Sequence, residues 1–222
     1  MDKVRTIIWD CDNVMWFHKK EEPQILAEAL KISEVEEFSS EFYDFIEKFL
    51  VYFKNRKVNM RETLKLIEDT IPIAVSIYNI TPENFMKVFN EKKLETNDFN
   101  KDTLIVMEYL RSKGIKCIIK SDWFRSGQEK LLKAYGILEY IEELHCCDNA
   151  YLKCCPEAVH ELVKPGQEEQ YIIVGDSLEC DTAFAEYAGI KSIWLNKDHK
   201  DNKTVYKPDF EITSLLEVME II

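Results

Sequence analysis

Apolar positions along this chain follow two rhythms. Short, nearly unbroken apolar runs cover Val4–Trp9, Ile115–Ile119, Tyr171–Val174 and Lys191–Leu195, the pattern of strands buried on both faces. Between them, apolar residues recur at helical spacing over Asn100–Lys113, Gln128–Tyr135 and Glu179–Ala188, and each stretch is followed by a glycine (Gly114, Gly136, Gly189). Glycine best accepts the left-handed conformation that closes a helix. Strand alternating with helix predicts an α/β domain with a parallel sheet and right-handed crossovers.

The stretch after the first strand reads differently. All six glycines lie beyond residue 113, so the early segment is expected to be built of longer helices joined at proline or asparagine turns. Ser33 with Glu36 forms a capping box, and Thr81-Pro82 sets a cap residue before a proline at the first helical position. Phe38, Phe42, Phe45, Phe49 and Phe53 recur every three or four residues, the packing seam of a small helical bundle. The basic run Lys54, Arg56, Lys57 and Arg61 reads as a solvated helix end. The expected organisation is an α/β core domain from residues 1–17 and 97–222, with residues 18–96 as an inserted helical domain.

Composition narrows the partners. The 222 residues carry 41 acidic and 29 basic side chains, a net charge of −12, and such a surface repels nucleic-acid phosphates. No run reaches the about 18 apolar residues of a membrane span, and Met1–Arg5 leads straight into the first strand instead of a signal-peptide stretch. A cytoplasmic location with neither membrane nor nucleic-acid partner is expected. The seven cysteines include two adjacent pairs, Cys146-Cys147 and Cys154-Cys155, which read as reduced, buried fillers in preference to a disulfide framework or a zinc site.

In open α/β sheets, ligands sit beyond the carboxyl ends of the strands. Those positions hold Asp10-Cys11-Asp12-Asn13 after the first strand, Ser121-Asp122 after the second and Gly175-Asp176-Ser177 with Asp181 after the third; Lys153 precedes the third. Carboxylates gathered at one sheet edge repel one another unless a cation lies among them. An all-oxygen set selects a hard ion, and Mg²⁺ is commonly held by one or two carboxylates plus a substrate phosphate. A serine hydroxyl and a lysine ammonium suit the oxygens of a transferring phosphoryl group. Cys11, between two aspartates, invites the expectation of oxidation-sensitive activity.

These segments resemble, in order, the four motifs of the haloacid dehalogenase (HAD) superfamily. Ile7–Val14 is similar to its strand-DxD motif, Cys117–Asp122 to its hydrophobic-strand-Ser/Thr motif, Lys153–Glu157 to its Lys-x-x-Pro motif and Val174–Asp181 to its GDSxxxD motif. The resemblance implies a HAD-like Rossmannoid core with a parallel sheet, and makes the insert an α-helical cap domain. It implies a Mg²⁺-dependent phosphatase acting on a small phosphorylated metabolite. Asp10 would be the nucleophile that forms an aspartyl-phosphate, and Asp12 the general acid and then base. Dehalogenases of the superfamily lack that second aspartate, so Asp12 favours phosphoryl over halide chemistry. Ser121 and Lys153 would bind the phosphoryl oxygens. Asp10, Asp176 and the backbone carbonyl of Asp12 would bind the metal, with Asp181 steadying the metal shell or Lys153. Lys164-Pro165 competes with Lys153 for the third motif. A phosphomutase of the β-phosphoglucomutase type and a non-catalytic binding protein of the same fold are the alternative readings. Neither the substrate's identity nor the oligomeric state is written in the sequence.

Overall fold

The computed structural model describes residues 4–19, 90–147, 149–153 and 155–222. The predicted helix starts at Ser33 and Thr81, the phenylalanine stripe and the basic run all lie outside the described residues. The chain divides into two compact units, Met1–Phe17 with Phe99–Ile222, and His18–Asp98. In the second unit, residues 90–96 are helical, His18 Nδ1 pairs with Asn97 Oδ1 at 2.7 Å, and the Lys19 amide donates to the Thr96 carbonyl at 3.1 Å.

The first unit is built on six parallel strands: β1 (Thr6–Trp9), β4 (Lys116–Lys120), β5 (Ile141–His145), β6 (Tyr171–Gly175), β7 (Lys191–Leu195) and β8 (Phe210–Ile212), in the spatial order β5-β4-β1-β6-β7-β8. A separate two-stranded sheet pairs β2 (Trp16–His18) with β3 (Asn97–Phe99). All four residues of β1 are buried, as a central parallel strand covered on both faces requires. From β1 the chain builds outward through β4 and β5, then returns to β6 on the other side. That reversal makes the carboxyl end of β1 a switch point, where such sheets open a crevice.

The connecting helices are α1 (Asp102–Ser112), α2 (Arg125–Ala134), α3 (Glu157–Leu162), α4 (Ala183–Ala188) and α5 (Val218–Ile221). In α1, Thr103, Val106, Met107 and Leu110 are buried, a stripe at the spacing expected of a core-facing helix. One core cluster joins Ile8 and Ile173 of the sheet to Ala158 and Leu162 of α3 and Phe184, Ala185 and Ala188 of α4. Gly189 closes α4 at φ 64°, the left-handed cap that the sequence predicts.

Three differences from the sequence reading have physical causes. β5 and β8 are edge strands, and their exposed glutamates (Glu142, Glu143, Glu211) hide the apolar run that marks a central strand. Helix α3 has six residues, too short for a periodicity. The helix predicted over Glu179–Ala188 is two elements, a π-helical turn over Leu178–Thr182 and then α4. Among the described residues, no helix is long and apolar enough to cross a membrane.

Candidate active site

The backbone after β1 is pinned before it turns. The Asp10 amide donates to the Val174 carbonyl of β6 at 2.9 Å, and the Val14 and Met15 amides both donate to the Cys11 carbonyl, at 3.2 and 2.9 Å. Asn13 takes φ 60°, a left-handed conformation that asparagine tolerates better than most residues. Asp10 is thereby aimed over the sheet edge. Its Oδ1 accepts from the Cys11 amide at 2.8 Å and from Lys153 Nζ at 2.9 Å.

The loop after β6 supplies two more carboxylates. Trp194 Nε1 of β7 donates to the Asp176 carbonyl at 2.9 Å, fixing that residue at the strand end. Asp181 sits in the π-helical turn; its Oδ1 accepts from Lys153 Nζ at 2.7 Å and its Oδ2 from the Ser177 amide at 3.0 Å. π-turns of this kind re-aim one side chain without ending the helix. Asp10, Asp176 and Asp181 each offer a carboxylate oxygen, all within 4.8 Å of one another. Gly175 makes room for this: a Cβ there would lie 2.1 Å from Asp181 Cγ and Oδ2.

Burial and like charge work against ionisation here. Burial holds the Asp10 carboxyl well above the usual carboxylate range; Lys153 pulls it down and Asp181 and Asp176 push it up again. Asp176 is pushed up to about 6, first by burial and then by Asp181. For Lys153, burial alone would lower the pKa, but Asp10, Asp181 and Asp122 together outweigh it and keep the ammonium charged. One lysine cannot neutralise three close carboxylates, and the donor set is oxygen only, so the residues fit a hard divalent cation.

Lys153, 3% exposed, reaches this cluster, whereas Lys164 is exposed. The Lys153 amide donates to Asp122 Oδ1 at 2.9 Å. Lys120, fully buried, lies 3.9 Å from the same oxygen, and its Nζ makes no hydrogen bond among the described residues.

Asp12 faces elsewhere. Its side chain does not join the three-carboxylate group; Oδ1 accepts from Trp16 Nε1 at 3.0 Å and Oδ2 from Gln128 Nε2 at 2.6 Å. The same Gln128 nitrogen lies 2.7 Å from Ser121 Oγ, which also accepts from the Trp123 amide at 3.1 Å. Gln128 was not anticipated from the sequence. Its signal was available: Gln128, Leu131 and Leu132 are the i, i+3, i+4 positions of the buried face of α2, and a polar residue on an apolar face needs partners.

Cys11 does not behave as an exposed redox thiol. It is fully buried, and burial, followed by the charges of Asp10 and Asp12, pushes its thiol well above the ordinary value. The expectation of oxidation sensitivity is corrected accordingly, since the reactive species is the thiolate. Cys146 and Cys147 are buried and Cys155 is of intermediate exposure; Cys154 lies outside the described residues.

Known proteins place this site in context. The family model of haloacid dehalogenase-like hydrolases matches residues 4–189. A Bacillus subtilis protein named HAD-hydrolase YfnB is 29% identical over 99 residues, 43% of this chain and 42% of its own. The pyrimidine 5'-nucleotidase PynA of Streptococcus pneumoniae is 30% identical over 64 residues, 29% of this chain and 27% of its own. The aligned stretches thus span less than half of each of these curated relatives. In fold, the magnesium-bound crystal structure of YfnB superposes with a TM-score of 0.70 at 16% identity, covering 99% of this chain and 98% of that one. A HAD phosphatase from Thermococcus onnurineus gives 0.65 at 21% identity, covering 98% and 97%.

Proposed function

The chain belongs to the haloacid dehalogenase-like hydrolases, and on that premise we propose that it is a Mg²⁺-dependent phosphatase that hydrolyses a small phosphorylated metabolite through an aspartyl-phosphate. The observation that carries this reading is the meeting of Asp10, Asp176 and Asp181, the first and last of them paired with Lys153, beside a second aspartate, Asp12, oriented by its own donors.

Asp10 Oδ1 already accepts two hydrogen bonds, so the lone pairs of Oδ2 are the ones available to attack phosphorus. As the Asp10–phosphorus bond forms, the ester oxygen–phosphorus bond breaks, and Asp12 gives its proton to the departing alkoxide. Asp12, now ionised, takes a proton from water; the resulting hydroxide attacks phosphorus, releasing inorganic phosphate and restoring the Asp10 carboxylate. Lys153 and the Ser121 hydroxyl bind the phosphoryl oxygens, and Asp181 keeps Lys153 in place. Asp10, Asp176 and the Asp12 carbonyl would hold Mg²⁺, which when bound offsets the charge of the transferring phosphoryl group. In this proposal residues 18–96 supply the choice of substrate.

The similarity to a pyrimidine 5'-nucleotidase supports placing pyrimidine nucleoside monophosphates beside sugar phosphates and an aryl phosphate in a phosphate-release panel, with Mg²⁺ and with EDTA. Turnover of at least one substrate that EDTA abolishes, together with a loss of at least about 10³-fold in Asp10→Asn, is expected. No phosphate release from any substrate, or near-normal turnover by the variant, would falsify the proposal.

A further inference from the structure

We propose that Gln128 is a positioning residue, a single side-chain amide that orients both the proton donor Asp12 and the phosphoryl-binding hydroxyl of Ser121. This rests on the phosphatase reading above and goes beyond it, since Gln128 belongs to none of the four motifs.

The inference follows from donor and acceptor capacity. A serine hydroxyl has two acceptor lone pairs and one O–H. Both lone pairs of Ser121 are taken, by Gln128 Nε2 at 2.7 Å and the Trp123 amide at 3.1 Å. The hydroxyl can therefore only donate, and no acceptor for it is found among the described residues. Ser121 is 1% exposed, so its O–H is poised for a ligand oxygen instead of being shared with bulk water.

The other hydrogen of Gln128 Nε2 serves Asp12 Oδ2 at 2.6 Å, while Trp16 Nε1 holds Oδ1 at 3.0 Å. Donors on both oxygens set the plane of the carboxyl group. While Asp12 is ionised, as it must be to take a proton from water, the amide turned over would place Oε1 2.6 Å from a carboxylate oxygen, acceptor against acceptor. The Nε2-inward orientation is therefore the favoured one, and it leaves Oε1 fully buried without a hydrogen bond. A buried acceptor left unsatisfied on an apolar helix face is a cost that packing alone does not explain. The gain is at the two residues that Nε2 serves.

Gln128→Leu separates this role from a structural one, because it keeps the buried volume and removes the unsatisfied oxygen. With the whole chain and saturating Mg²⁺, the rate of alcohol release in the first turnover, which precedes the water step common to all substrates, and KM are measured for an alkyl phosphate, whose leaving group needs a proton, and for p-nitrophenyl phosphate, whose leaving group does not. For the alkyl ester, the first-turnover rate is expected to fall at least tenfold and KM to rise severalfold. For p-nitrophenyl phosphate, the first-turnover rate is expected to change less than threefold, while the melting temperature stays within a few degrees. Gln128→Glu, which sets a carboxylate against Asp12 and takes the Ser121 O–H away from the ligand, is expected to be worse than Gln128→Leu on the alkyl ester. Equal losses on both esters, wild-type kinetics in Gln128→Leu, or full activity in Gln128→Glu would each overturn the proposal. If the wild-type chain turns over neither ester, it is the phosphatase reading that fails instead.

Discussion

Gly175 is required for what its neighbour leaves no room for, and Gly175→Ala tests this directly. The added Cβ would lie 2.1 Å from Asp181 Cγ and Oδ2 and 2.5 Å from its Cβ. Asp181 is 2% exposed, so it cannot swing into solvent. To reach ordinary contact at 3.4 Å its carboxylate must retreat by about 1.3 Å, far enough to break its 2.7 Å bond to Lys153 and its 3.0 Å bond to the Ser177 amide. Loss of a hydrogen bond to a charged group costs about 1.5–3 kcal/mol, and overpacking about 1–3 kcal/mol. For the two bonds and the overpacking together the expectation is about 4–9 kcal/mol, a fall in melting temperature of roughly 10–35 °C for a chain of this length. Lys153 would be left with Asp10 alone as its partner in the cluster, and a displacement of this size at a catalytic group costs on the order of 10²-fold in turnover. Thermal unfolding and phosphate release measure the two effects. A double-mutant cycle with Asp181→Gly, which removes the Cβ as well as the carboxylate, tests the route, since the alanine at 175 should cost little once the whole side chain is gone. A Gly175→Ala protein that melts within about 2 °C of wild type and keeps its turnover, or a cycle with additive costs, would refute the steric argument.

Two further predictions use the electrostatics. In EDTA, Asp176 titrates near 6 in the folded chain against an ordinary 3.8, so between those values the folded state holds a proton that the unfolded state has released. Stability must then fall as pH rises through that window, by at most about 3 kcal/mol from this group. Melting curves from about pH 4 to 7 should show this slope reduced in Asp176→Asn, and Mg²⁺ should stabilise the wild type more as the carboxylates ionise; identical slopes in the two proteins would count against it. The Cys11 thiol, buried and raised by its flanking aspartates, should resist iodoacetamide and peroxide under native conditions, while Cys155, of intermediate exposure, should be the first of the described cysteines to react; peptide mapping that finds Cys11 modified first would contradict this.

Some of these features can be read directly from the chain. The central strands β1, β4, β6 and β7 stand out because a strand covered on both faces needs an unbroken apolar run. The residues just past their ends stand out because acidic and hydroxyl groups there interrupt that run. The edge strands and the short helix α3 do not, since partial exposure lets charged residues mask any period. The π-helical turn that aims Asp181 resembles an ordinary helix start in sequence, as one extra residue per turn leaves no compositional mark.

Local rules of burial and spacing were therefore enough for the α/β class, the order of the central strands, and Asp10, Asp12, Ser121, Lys153, Asp176 and Asp181 as candidates for chemistry. Whether those groups meet, and through what, was settled only by folding. Asp12 and Gln128 are 116 positions apart, and Lys153 and Asp181 are 28 apart. Distance along a chain carries no information about a 2.6 Å or 2.7 Å contact until parallel strand pairing brings the carboxyl ends of β1, β4 and β6 to one edge. Hydrogen bonding and repulsion act through space, so it is at that edge that a glutamine became a bridge and a glycine became a clearance.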